Sequence, residues 1–188
     1  MTIIAKEPED KGFELCPAGT YQAVCYAVWD LGLQKVMWQD QETLRHKIRV
    51  AWEVSEPMAD GRPFSVQKSY NLTLHEKAAL RKDLESWRGR AFTGAELAGF
   101  DVEKLVGANC LLNVVHTESN GKTYANVASI SPILKTMTKV APTNGPEPTK
   151  RIAELQAEGQ QNALHAHENT GLYMEAPPPV TDHDSLPF

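Results

Sequence analysis

Cysteine is scarce in this 188-residue chain. Cys16, Cys25 and Cys110 are odd in number and show no CxxC spacing. That excludes a disulfide framework and a zinc ribbon, and points to reduced thiols in the cytoplasm. No apolar run approaches the roughly 18 residues of a membrane span, so no membrane partner is expected. Met1–Asp10 lacks the apolar stretch of a signal peptide. A glycine-rich phosphate loop is also missing. Positive charge is absent from one region. Past Lys150 the single base is Arg151, against Glu154, Glu158, Glu168, Glu175, Asp182 and Asp184. The net charge of −5 therefore resides in the last fifth of the chain. Such asymmetry suits an acidic tail on a binding domain.

The remainder reads as one β-rich domain. Residues 1–18 are polar and mixed, and are expected to form a flexible arm. Thr20–Asp30 is aromatic and β-branched and predicts a strand that Gly32 bends or ends. Gln34–Thr43 has no clear period and is expected to be a loop carrying Trp38. Leu44–Val54 alternates cleanly, with Leu44, His46, Ile48, Val50, Trp52 and Val54 on one face and Arg45, Lys47, Arg49, Ala51 and Glu53 on the other, so it predicts a half-buried strand. Asp60-Gly61 predicts a hairpin turn, and Phe64–Thr73 the return strand. Lys68 falls in phase with Phe64, Val66 and Tyr70, which calls for a bulge or a lysine at a barrel rim. Thr73 to Glu76 has capping-box spacing, and Leu80, Leu84 and Trp87 form a helical stripe ended by Gly89. Thr93 to Glu96 is a second capping box, followed by a helical turn from Asp101 to Val106. Asn109–Thr117 and Lys122–Ile130 flank Asn120-Gly121, a strong hairpin signal.

The order strand, strand, strand, helical insert, strand, strand matches a mainly β, five-stranded OB-fold Greek-key barrel with its insert between strands 3 and 4. The domain is placed at 19–134. Residues 135–180 are expected to be a disordered linker with a weak helix at 150–168, and 181–188 an acidic tip. An OB barrel binds on the outer face of its second and third strands. Single-stranded nucleic acid needs cations there for phosphates and flat rings for bases. Arg45, Lys47, Arg49, Lys68 and Lys122 supply the first, and Trp29, Trp38, Tyr70 and Tyr124 the second. Trp52 and Trp87 are assigned to the core by their phase.

The final residues, TDHDSLPF, carry Asp182, Asp184, Leu186, Pro187 and Phe188. An OB-like domain, a Pro-rich linker and an acidic tip ending in Pro-Phe together resemble bacterial and phage single-stranded DNA-binding proteins. The stretch SYNLTLHEKAALRKDLESWRGRAFT, Ser69 to Thr93, is similar to phage-encoded proteins of single-strand-binding type. His183 and Ser185 interrupt the acidic run, so the tip carries fewer charges than the family's usual one. The resemblance implies a protein that coats single-stranded DNA in replication, recombination or repair, in a bacterial host's cytoplasm. It implies a tip that docks partner enzymes, with Leu186 and Phe188 in an apolar pocket and the carboxylate on a basic residue. Coating proteins often assemble, so a homo-oligomer is compatible with this reading.

Two other classes compete with this reading. A protein–protein adaptor of the replication or recombination machinery, without strong DNA affinity, would share the fold and tip, and the neutral charge balance of residues 1–150 favours it. A metal-dependent nuclease would have to use His165 and His167 or Asp182, His183 and Asp184. Both groups fall in segments expected to be disordered, where nothing fixes a ligand geometry. The expectation is a non-enzymatic protein without cofactor or metal.

Overall fold

The computed structural model describes residues 14–38 and 40–170. Five strands form one antiparallel sheet in the order β3-β2-β1-β4-β5. They are β1 (Gly19–Trp38), β2 (Gln41–Pro57), β3 (Pro63–Asn71), β4 (Asn109–Ser119) and β5 (Lys122–Ser131). The described helices are α1 (Ala79–Arg88), α2 (Gly94–Ala98) and α3 (Lys150–Thr170), with a 3-10 turn at Val102–Leu105. The outer strands β3 and β5 approach each other, so the sheet curls towards a barrel.

The concave side holds the main core. Ile48, Val50, Trp52 and Val54 of β2 are buried there, as their alternation predicts. Leu80, Leu84 and Trp87 of α1 close one end, with the Trp52 and Trp87 rings 5.8 Å apart. Burying side chains of this size stabilises by roughly 1.5–3 kcal/mol each. The β3 register runs unbroken from Ser65 to Asn71, so no bulge displaces Lys68. It lies instead at the rim, with Nζ 2.7 Å from Asp83 of α1.

Several boundaries differ from the sequence reading. β1 does not end at Gly32. It absorbs irregularities between Cys25 and Ala27 and between Asp30 and Gly32, where Gly32 adopts φ +65°, and continues to Trp38. The expected loop at 34–43 is thus a two-stranded ribbon, pairing Lys35 with Leu44 and Trp38 with Gln41. It extends beyond Asn71, the last paired residue of β3. With no third strand beside it, neither face has to be apolar, which is why no period is visible.

Helix α1 does not start at the first capping box. Thr73 Oγ1 accepts from the His75 N–H, and His75 Nδ1 accepts from the Lys77 N–H. These local turns divert the donors a cap would use, and the helix begins at Ala79 without a side-chain cap. The second box forms as expected, with Thr93 and Glu96 capping reciprocally. Gly89 ends α1 in the left-handed region at φ 67°, and Asn120 and Gly121 turn the last hairpin at φ 51° and 72°.

The largest correction concerns the segment after residue 134. Residues 138–149 are bonded to the sheet rather than free. Gln22 Nε2 donates to the Thr138 carbonyl at 2.6 Å, and Asn109 Oδ1 accepts from the Val140 N–H at 2.8 Å. The expected weak helix is the 21-residue α3, docked on β1 with Ile152 fully buried. Gln, Asn and Gly make these contacts, so the hydrophobic pattern under-reports them.

Candidate functional site

A concave feature lies where β2 runs past the end of β3. An open cleft of about 530 Å³ is lined by Arg45, Lys47, Ser69, Tyr70, Asn71, Thr73, His75, Ala78 and Ala79. β2 contributes the two cations, β3 the hydroxyl and amide, and the turn before α1 the remaining polar groups. Pairing of Lys47 with Asn71 sets the floor. The Leu72 N–H bonds to the His46 carbonyl at 2.8 Å and holds the departing chain against β2.

Charge is segregated here despite the balanced total. Several bases elsewhere meet acids. Lys68 pairs with Asp83, Arg81 with Glu85, Lys35 with Glu42, and both Arg88 and Arg90 with Glu96. Among the described residues neither Arg45 nor Lys47 has a carboxylate within ion-pair distance. Arg49, two positions further along the same face, donates through Nε to Ser69 Oγ at 3.0 Å. Burial, and then the charge of Arg151, press its pKa down from the usual arginine value. The face is thus a row of three cations with hydroxyl and amide groups beside it. It can take an anion chain, as phosphates would require.

The structure brings together only part of the expected site. Arg45 and Lys47 line the cleft, with Arg49 at its edge. Trp38 ends β1 in the ribbon, opposite Gln41. Tyr70 touches the cleft but is 4% exposed, and its hydroxyl donates to Asp83 Oδ2 at 2.8 Å. Its ring belongs to the core and is not presented for stacking. Lys68 is a partner of the same carboxylate, and so is not a groove cation. Trp29 lies on the outer face but is 5% exposed, because the incoming chain covers it. Lys122 and Tyr124 are exposed on the β4–β5 hairpin, opposite Ser119 and Thr117. Their register places them beyond Gly19, at the end of β1 away from Arg45. The tip residues Asp182, Asp184, Leu186, Pro187 and Phe188 lie outside the described residues, as do residues 1–13 of the expected arm at 1–18, while its Cys16 is buried with its carbonyl 2.8 Å from His116 Nε2 and so is not a loose part of an arm.

Asn71, Thr73, His75 and Ser69 were missed by the sequence reading. Thr73 and His75 were absorbed into a helix start, and only the irregular turn exposes them to the cleft. His165 and His167 are exposed on α3, and no group of three metal-ligating side chains occurs among the described residues. No helix among them is long and apolar enough to cross a membrane. Neither the known protein-family models nor the curated proteins show a match to this chain.

Proposed function

We propose that this protein binds single-stranded DNA through an OB-type barrel and recruits replication or recombination enzymes through its C-terminal tip. The antiparallel order β3-β2-β1-β4-β5, with β3 and β5 drawn together and helices inserted between β3 and β4, is compatible with that barrel. The observation that carries the reading is the cleft in which Arg45 and Lys47 stand without acidic partners beside Ser69, Asn71 and Thr73. Cations there hold phosphates, and Trp38 in the adjoining ribbon is the candidate for base stacking. The roles of Asp182, Asp184, Leu186, Pro187 and Phe188 rest on their resemblance to the tips of such proteins.

The test is a titration of the full chain with labelled oligo-dT at low and high salt, beside a duplex of equal length. Binding should be confined to single strand and should weaken with salt, by about 0.7 log unit per phosphate contact for each decade. The double variant Arg45→Glu, Lys47→Glu should abolish it. Equal binding by that variant, or none by the wild type at low salt, overturns the reading in favour of the adaptor.

A further inference from the structure

The outer face of β1 and β2 is continuous with the cleft, yet the chain's own residues 138–170 lie across it. Trp29 is the cross-strand neighbour of Arg49, so the cation row runs directly towards a buried indole. That indole donates through Nε1 to the Pro146 carbonyl at 2.7 Å. Tyr26 packs edge-on against it, 5.9 Å between ring centres. Two aromatic rings beside an arginine on a sheet face are what a strand path needs, and here a polypeptide occupies the place.

The covering contacts are mainly polar and backbone-borne. Glu53 accepts from the Thr143 N–H at 2.8 Å and from the Asn144 N–H. Gln34 Nε2 donates to the Leu155 carbonyl, and Asn162 Nδ2 to the Leu33 carbonyl, each at 2.8 Å. Ile152 is the one helix residue in the apolar cluster, with Leu155 partly buried beside it. Arg151 meanwhile brings a like charge towards Arg49. A cover held by few apolar atoms, with a repulsive pair at its edge, is suited to release.

We infer that α3 and the segment leading to it form a releasable cover, and that the face beneath is a second stretch of single-strand path extending from the cleft. The inference rests on the proposed DNA-binding function. Strand and cover then exclude one another, and measured affinity is reduced by the fraction of molecules that are covered.

Two substitutions release the cover from separate ends in the full chain. A Cβ at Gly159 would stand 2.0 Å from the Leu31 carbonyl oxygen, so Gly159→Ala drives α3 off the sheet while favouring the helix itself. Thr143→Pro removes the N–H that Glu53 accepts. Amide exchange at residues 29–34 reports release. Both variants should lose protection there, bind oligo-dT about tenfold more tightly and occlude a longer stretch of it. Release with unchanged affinity and site size overturns the cover while leaving the cleft reading intact. Protection retained in both variants overturns the mechanical part of the inference. Absence of oligo-dT binding in the wild type and in both released forms overturns the inference together with the DNA-binding reading.

Discussion

Arg88 shows how one side chain can organise an insert. Its guanidinium is almost wholly buried, pairs with Glu96 and lies over the rings of Phe92 and Phe100, 4.6 and 5.4 Å from their centres. Hydrogen bonds from Arg90, from the Thr93 N–H and from Arg88 hold the Glu96 carboxyl well below the usual carboxylate range. A depressed carboxyl stabilises the fold above its unfolded pKa near 4.5, and the contribution fades as pH falls below that value. Glu96→Gln should therefore lower the melting temperature at pH 7, and the gap to wild type should narrow on acidification through pH 4.5. A gap independent of pH would show that the charge is not what matters. The thiols give a second residue-scale expectation. Burial pushes Cys16 up to about 11 and Cys25 up to about 12, and raises Cys110 as well. None should react with a disulfide reagent at pH 8 in native protein, and all three should react in denaturant. Tyr70→Phe should cost about 2 kcal/mol of stability, the worth of a bond to a charged acceptor such as Asp83, and leave oligonucleotide binding unchanged. Weakened binding without loss of stability would return Tyr70 to the groove.

At the scale of elements, the legible parts were those with a single dominant cause. β2 alternates because one face is core. The second capping box, the Gly89 cap and the Asn120-Gly121 turn are local chemistry that nothing tertiary overrides. The ribbon at 34–43 was illegible because it has no buried face to impose a period. The first capping box was misread because the Thr73 and His75 side chains bond to their own turn. Of the candidate site, the placement of Arg45, Lys47 and Arg49 on one face of β2 was legible from phase, whereas Lys68 and Tyr70 belong to Asp83, which only the packing of α1 on β3 brings near. Gly89→Ala tests the cap. It forces a side chain into φ +67° with Pro132 Cγ at 3.2 Å, and should destabilise by about 1 kcal/mol. Equal stability in denaturant titration would mean that the helix end relaxes.

At the scale of the molecule, sheet, insert and covering segment divide the work. The insert pairs Arg88 and Arg90 with its own Glu96 and gives Asp83 to Lys68 of β3, so these acids are engaged away from Arg45 and Lys47. Before Glu154 the covering segment carries Lys139, Lys150 and Arg151 against the single acid Glu147, so it competes by shape and hydrogen bonding rather than by imitating phosphate. Raising salt should therefore weaken oligonucleotide binding but leave amide protection over residues 29–34 nearly unchanged. Salt-dependent exposure of those residues would mean that the cover is held by charge instead.

The two irregularities in β1 have a consequence in simple parity. Before the first, odd-numbered residues such as Ala23 and Cys25 face the main core. After it, the odd-numbered Ala27 and Trp29 belong to the outer cluster. The second irregularity, at Leu31, reverses the count again, so that Gln34 reaches α3. The face of a tryptophan is thus decided by one extra residue: were Tyr26 drawn into regular pairing, Val28 would replace Trp29 on the outer face, whereas deleting Tyr26 would leave Trp29 where it is.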